Sequence, residues 1–327
     1  MIVLAGDIGG TKALLAVVDV EPMVIRVLFE RRYLCRDFDG PGLMLEQFLA
    51  EAGTREVDRA CLGVPGIVQG DECKAVNLPW PINAVDISHQ IGASRTRLIN
   101  DFLALGYGLE HLTPADYVTL QPGRTAPRGP KVLLGAGTGL GESLLVWDGM
   151  RYQVYATEGG HADFAARNET EDRLCAHLRK QFGHVSWERV VSGPGLVNVF
   201  EFVTASGLAP LAPGIRKQMD EQDPAAVISE HALAGNDDAC VRALDLFIGA
   251  YGAEAGNLAL KVLATGGVYV AGGIAPKIID KLKQGAFLNA FKDKGRFASF
   301  LETIPLHVIH KKNVGLLGAA AEAARLR

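Results

Sequence analysis

Short apolar blocks separated by polar and glycine-rich breaks open the chain. Ile2-Val3-Leu4-Ala5, the run from Ala13 to Asp19 and residues 24–34 predict three consecutive strands. The apolar spacing over 42–52 predicts a helix. Arg59 to Val64 reads as a strand entering a Pro65-Gly66 turn, and the stretch from Gln69 to Pro81 reads as polar and irregular. A short helix is predicted from Asp86 to Ile91. A strand over Thr96–Asn100 then ends at Asp101, where a one-sided helix runs from Phe102 to Leu109. The order βββαβαβα predicts an α/β fold, with a mixed sheet covered by helices.

Residues 113–130 are rich in Pro, Gly, Thr and Arg and read as a connection between two halves. A strand follows over 131–135, then a second glycine turn and a strand over 142–147. The pattern next predicts helices over 169–182, 193–205, 224–233 and 237–263. Asn168 or Thr170 is a cap for the first of these and Pro224 an N1 residue for the third. Val268–Ala271 is a buried strand entering Gly272-Gly273-Ile274 and a helix from Pro276. A strand over 306–309 and a helix over 313–324 with an Ala/Leu face complete the pattern.

One comparison within the chain changes this picture. GDIGGTKALLAVVD at 6–19 lines up without gaps against GAGTGLGESLLVWD at 135–148. Each is a glycine turn between a strand and a Leu-Leu strand ending in Asp. Two related halves would each present such a turn; resemblance between two unrelated glycine-rich hairpins is the alternative. Glycines 9 and 10 permit positive φ and close ligand approach. Turn N–H groups converging on a concavity make an anion site, to which Thr11 adds a hydroxyl donor, while Asp7 can face a hydrated Mg²⁺. The bland alternative is an ordinary hairpin turn with an incidental Asp.

Known phosphate loops do not fit. Neither turn carries the Lys-Ser/Thr pair of a P-loop. At 135 the dinucleotide fingerprint meets Leu140 where its last Gly belongs, and a strand, not a helix, follows. No HRD or DFG triplet of a protein kinase occurs. Paired strand–turn–strand phosphate clamps remain, with the glycine pair 272–273 beside a base or ribose.

Composition narrows the partners. With 327 residues the chain is long enough for two cores. It is 48% hydrophobic and 21% charged, as in an ordinary globular protein. A net charge of −4 argues against a non-specific nucleic-acid binder. No signal-peptide pattern and no apolar run long enough to span a membrane is present, so a cytoplasmic protein with no membrane partner is expected. Five cysteines, none paired at CxxC spacing, signal neither a disulfide framework nor a zinc site.

GDIGGT at 6–11, IND at 99–101, GAGTGLG at 135–141, EGGH at 158–161, ERVVSGPGL at 188–196 and AGGI at 271–274 together resemble the bacterial glucokinases. These belong to the hexokinase branch of the actin-like ATPase-fold superfamily. The match runs in order through essentially the whole chain. It implies transfer of the ATP γ-phosphoryl group to the 6-hydroxyl of D-glucose with Mg²⁺. It also implies a two-domain actin-like ATPase (ribonuclease H-like) fold, with a mixed sheet in each domain, an interdomain cleft and a homodimer. Expected boundaries are 1–110 plus 312–327 for the smaller domain and 111–311 for the larger. Lys12 stands where some members carry Asn, Val64-Pro65-Gly66 is a variable segment near the sugar, and the Cys-rich zinc motif of the related repressor/kinase/ORF group is missing.

Asp101 is the expected general base. It lies between a strand and a helix N-terminus, where active-site groups gather and ionised carboxylates are favoured; a role as N-cap of the following helix is the alternative. Asn100 is expected to hold sugar hydroxyls. Glu158 and His161 are expected to do so from a loop, since Gly159-Gly160 is a poor helix interior. Glu188 resembles a third sugar anchor. A satisfied loop histidine and an exposed helix-start Glu are the bland readings of His161 and Glu188. Gly6, Asp7, Ile8, Gly9, Gly10 and Thr11, with Gly137 and Thr138, are expected at the phosphates, Gly272 and Gly273 at the adenosine, and Asp7 at Mg²⁺ through water. Rival readings are a kinase for another hexose, a polyphosphate or ADP donor, a filament or chaperone ATPase, and a sugar-responsive repressor. The last would need a DNA-binding extension, for which a catalytic-looking loop beginning at residue 6 leaves no room.

Overall fold

The computed structural model describes residues 1–21, 24–54, 56–73, 78 and 80–326. The chain divides into two compact units: residues 1–115 with 154–156 and 311–327, and residues 116–153 with 157–310.

The first unit is built on strands β1 (Ile2–Ile8), β2 (Lys12–Glu21), β3 (Val24–Leu34), β4 (Arg59–Val64) and, after three two-residue strands, β8 (Arg95–Asn100). Their order is β3-β2-β1-β4-β8. The first three run antiparallel; β1, β4 and β8 are parallel. Six successive residues of β2, Ala13 to Val18, are buried, as a strand covered on both faces requires. The edge strand β3 instead exposes Arg26, Glu30, Arg31 and Arg32, charges that discourage another strand from pairing there. Helices α1 (Pro41–Glu51), α2 (Ala84–Ile91) and α3 (Asp101–Gly108) connect the strands. Leu4, Ile8, Leu15, Met44 and Phe48 form the centre of the core.

In the second unit β9 (Tyr117–Gln121), β10 (Lys131–Ala136), β11 (Leu140–Trp147), β12 (Tyr152–Thr157), β13 (Gly267–Ala271) and β14 (Leu306–Ile309) form a sheet in the order β12-β11-β10-β13-β14-β9. Helices α4 (Glu169–Phe182), α5 (Gly193–Ala205), α6 (Ile215–Glu221), α7 (Pro224–Ala234), α8 (Asp238–Val262), α9 (Ile279–Leu282), α10 (Ala286–Lys292) and α11 (Ala298–Glu302) follow. The core gathers around α8, whose Phe247 and Tyr251 meet Phe200 and Phe287.

The internal repeat has a topological counterpart. Each sheet has a hairpin (β1/β2, β10/β11) whose first strand pairs in parallel with β4 or β13, which in turn pairs in parallel with β8 or β14. The gapless alignment does not survive in register. Gly6 faces Leu15, whereas Gly135 faces Gly141, three residues before the aligned counterpart of Leu15. The second turn is tighter, closing with Gly137 N–H on the Gly139 carbonyl at 2.8 Å.

Several expectations need correction. The 113–130 connection contains β9, a half-buried edge strand on β14 whose Pro- and Gly-rich flanks hide its short apolar pattern. The stretch 69–81 is not wholly irregular: β5 (Val68–Gln69), β6 (Glu72–Cys73) and β7 (Ile82–Asn83) make a small antiparallel sheet. Residues 74–77 and 79 of that stretch, and residue 327, lie outside the described residues. The helix from Pro276 is a 3₁₀ turn, Ala275–Ile278, followed by the four-residue α9. Strand β12 was not expected, its residues being mostly half-buried or exposed, and helices α6, α10 and α11 carry too few residues to show a period.

Helix α12 (Val314–Arg325) belongs to the first unit and packs along α3. A Cβ at Gly318 would collide with the Ala104 carbonyl, so only glycine allows the two helix backbones to come this close. The buried Glu322 pairs with Arg97 of β8, and Arg59 Nη1 donates to the Ala324 carbonyl at 3.2 Å. Together these contacts hold α3 against the sheet from behind.

Candidate functional site

Because β1, β4 and β8 are parallel, their carboxyl ends share one edge of the first sheet. The expected residues of this unit gather there. Asp7 and Gly63 are opposite each other, as are Val64 and Asn100. Asn100 caps α3: its Oδ1 accepts from Phe102 N–H at 2.9 Å and Leu103 N–H at 3.3 Å. The cap is therefore Asn100, and Asp101 is the first helical residue. Asp101 Oδ1 also accepts from Phe102 N–H at 2.9 Å, so its carboxyl lies over the helix start, where negative charge is favoured. Asn100 Nδ2 donates to the Gly66 carbonyl at 3.1 Å. Both lone pairs of its Oδ1 and one of its N–H groups are thus engaged, leaving it one donor for a hydroxyl.

The first glycine turn closes with Gly9 N–H on Lys12 O at 2.8 Å and is pinned to the start of Cys35 by Cys35 N–H on Thr11 O at 2.9 Å. Gly9 and Gly10 are half-buried and Thr11 is exposed. Gly6 and Ile8 lie further back, within the strand. Ile8 is fully buried, and a Cβ at Gly6 would stand 2.6 Å from Leu62 Cδ2, so that glycine serves core packing. Asp7 lies between them in β1 with its carboxyl towards the first turn of α12, 3.6 Å from where a Cβ on Gly315 would stand. Burial raises its pKa above the ordinary carboxylate value, and Arg32 opposes the shift. A cation nearby would restore the charged form.

In the second unit the carboxyl ends of β10 and β13 collect a second set. Glu158 precedes a 3₁₀ turn, Gly159–His161, rather than an open loop. Residues three apart eclipse in that geometry, which sets His161 Nε2 3.9 Å from Glu158 Oε2. The other ring nitrogen is 3.9 Å from Glu188 Oε1. Glu188 lies in its own 3₁₀ turn, Trp187–Arg189, and its Oε2 accepts from Leu140 N–H at 3.0 Å. So Glu188 joins the sugar candidates to the end of the 137–139 turn. Glu158 and His161 are exposed, at 59% and 60%, and thus open to a ligand.

The nucleotide candidates lie beside them. Gly193 N–H, at the start of α5, donates to the Gly137 carbonyl at 2.7 Å, and Ile274 N–H donates to the Ala136 carbonyl at 3.2 Å. Thr138 is exposed, and open space surrounds the Cα atoms of Gly137 and Gly273. Gly272 has φ of +81°, and any Cβ there would collide with the Ala136 carbonyl. Gly272→Ala is expected to cost about 1–3 kcal/mol in backbone strain. The Tm should fall by about 2–4 °C per kcal/mol, with a rise in KM for ATP and little change for glucose. Melting curves and initial rates check both.

Two contributors were not visible in the sequence. Ser192 caps α5 through Gly195 N–H at 2.9 Å and donates to the Glu188 carbonyl at 2.8 Å, which fixes the Glu188 turn to the helix. Glu142 of β11 is 1% exposed directly beneath Gly159. An acidic residue in a strand otherwise read as apolar is the only signal it leaves.

Two glycine hairpin turns, an aspartate at a strand–helix junction and a cluster of acids and histidine define a phosphotransferase-type α/β protein of the sugar-kinase class. The sequence model described as Glucokinase matches residues 4–326, and the chain belongs to the glucokinase family. It is similar to a glucokinase of Nostoc sp., with 42% identity over 340 residues covering 99% of each chain. It is also similar to a crystal structure of a glucokinase from an Antarctic psychrotroph, with a TM-score of 0.87 and 27% identity covering 99% of both chains. A structure of the Balamuthia mandrillaris glucokinase in complex with glucose shares the fold, with a TM-score of 0.81 and 21% identity covering 99% of this chain and 93% of that one. Among the described residues no helix is long and apolar enough to cross a membrane.

Proposed function

We propose that this protein phosphorylates the 6-hydroxyl of D-glucose with ATP as donor, on an actin-like, ribonuclease H-like two-domain scaffold. The observation that carries the reading is the meeting of Glu158, His161 and Glu188 beside the 137–139 turn. Carboxylates suit a polyol because each accepts two or more hydroxyl hydrogen bonds. Glu158 and Glu188 accept from sugar hydroxyls, His161 bridges the two acids, and the remaining N–H of Asn100 reaches a further oxygen. Asp101 accepts the proton of the attacking hydroxyl, which raises its nucleophilicity as phosphoryl transfer begins. ATP with Mg²⁺ supplies the transferable phosphoryl group and neutralises its developing charge.

The residues present fit that donor. With the N–H groups of Gly9 and Gly137 closing the two turns, those of Gly10, Thr11 and Thr138 are the ones offered to phosphate, the start of α5 adds helix-terminal polarity, and Gly272-Gly273 leaves room for the adenosine. Asp7 is one carboxylate at the turn. That suits Mg²⁺, which keeps most of its waters and takes one or two protein carboxylates besides phosphate oxygens. A homodimer and a cytoplasmic setting accompany the family resemblance and belong to this proposal.

Initial rates with ATP-Mg²⁺ over a panel of glucose, mannose, fructose and N-acetylglucosamine test it. Glucose is expected to exceed each of the others by at least about tenfold in kcat/KM, a barrier difference of about 1.4 kcal/mol. A higher kcat/KM for any other hexose would reassign the substrate.

A further inference from the structure

Behind the sugar turn the second unit buries two acids. Glu142 of β11 is 1% exposed and Glu254 of α8 is 0% exposed. Their carboxyls are within hydrogen-bonding reach of each other. If both were ionised, both oxygens of Glu142 would have no hydrogen-bond donor among the described residues. Such a pair is costly in a core, whereas one shared proton turns the contact into a hydrogen bond. The surroundings divide the roles. Asn257 Nδ2 donates to Glu254 Oε2 at 2.9 Å, and Lys261 Nζ stands 3.5 Å from Glu254 Oε1. Burial raises the Glu254 pKa, but Asn257, Lys261 and Lys294 all oppose that rise, so Glu254 has more compensation than Glu142. Glu142 meets Glu254 and the backbone of the sugar turn, with Lys261 opposing its burial electrostatically.

The sugar turn rests on this carboxyl. A Cβ at Gly159 would collide with Glu142 Oε2, so the glycine lets the turn sit directly on it. The turn's other anchors also reach back to β11. Thr157 Oγ1 donates to the Glu142 carbonyl at 3.5 Å and accepts from Gly159 N–H at 3.1 Å.

We propose that Glu142, protonated and hydrogen-bonded to Glu254, is a positioning residue that sets the height and orientation of the Glu158–His161 turn for sugar binding. Burial and the neighbouring Glu254 raise its pKa to about 7, against a weaker opposing pull from Lys261. The proton is therefore held below that pH and lost above it. Loss of the proton puts a second negative charge under the turn, weakening sugar binding and not the chemical step. This inference rests on the proposed sugar site, but one of its tests does not.

Wild type, Glu142→Gln and Glu142→Ala are compared from pH 6 to pH 9. For wild type, KM for glucose is expected to rise by about tenfold per pH unit at the limit above the Glu142 pKa, with kcat and KM for ATP nearly level. Glu142→Gln preserves the shape and hydrogen bond of the neutral acid, so its KM for glucose should stay flat across the range. Glu142→Ala should raise KM for glucose at every pH. Infrared difference spectra between pH 6 and pH 9 should show the carbonyl band of a protonated carboxylic acid in wild type and not in Glu142→Gln, with or without sugar. That band reads the acid pair even if the substrate is not glucose. A wild-type KM independent of pH, a Gln variant as impaired as the Ala variant, or the absence of a carboxylic acid band in wild type would overturn the proposal.

Discussion

Asp101→Ala is expected to lower kcat by about two to four orders of magnitude, the usual contribution of a positioned general base. KM for glucose should stay within about threefold, because a proton acceptor contributes in the transition state and little to ground-state binding. The geometry separates this effect from a folding defect. Asn100, not Asp101, supplies the cap that accepts from Phe102 N–H and Leu103 N–H. Losing the Asp101 carboxyl leaves that cap in place, so the helix start should persist and the variant should still fold. Steady-state rates with glucose and ATP-Mg²⁺, beside a melting curve, check it. A kcat within about tenfold of wild type, or about 1.4 kcal/mol, would place the base elsewhere.

Glu158→Ala should act on the other parameter. A hydrogen bond to a charged acceptor contributes about 1.5–3 kcal/mol, so the dissociation constant for glucose should rise by about ten- to a hundredfold. The side chain is exposed and, among the described residues, accepts no hydrogen bond that would hold the turn together; the turn instead rests on backbone bonds such as His161 N–H to Glu158 O at 2.9 Å. Stability should therefore be close to wild type, and calorimetric titration with glucose alone reads the loss. Unchanged affinity would mean that Glu158 faces solvent in the complex and that the sugar lies nearer Glu188.

Both effects were foreshadowed by residues whose neighbours in sequence carry a strong local signal. The strand ending at Asn100 and the helix starting beside it were readable because apolar period and polar junction coincide. Helix α4 was readable for the same reason, with Asn168 accepting from Glu171 N–H at its start. What escaped depends on partners distant in the chain. Strand β9 is defined by β14, almost two hundred residues later. Glu142 matters because Glu254 and Gly159 fold against it, and no window around residue 142 contains either. The two hairpins looked interchangeable in sequence because glycine fits any tight turn, and only the cross-strand hydrogen bonds fix which residues face each other. Asn100 was expected to offer a whole amide to the sugar. Its capping role was hidden because strand end and helix start compete for the same side chain.

The packing of α12 on α3 also bears on the order in which the polypeptide can mature during synthesis. Residues 116–310, which contain the whole of the second unit, emerge from the ribosome between α3 and the helix that backs it. The nascent chain can finish the acid and histidine cluster while α3 still lacks its close backbone contact with Gly318. The first unit, although it is begun earlier, is thus the one whose packing waits for the last helix to be made.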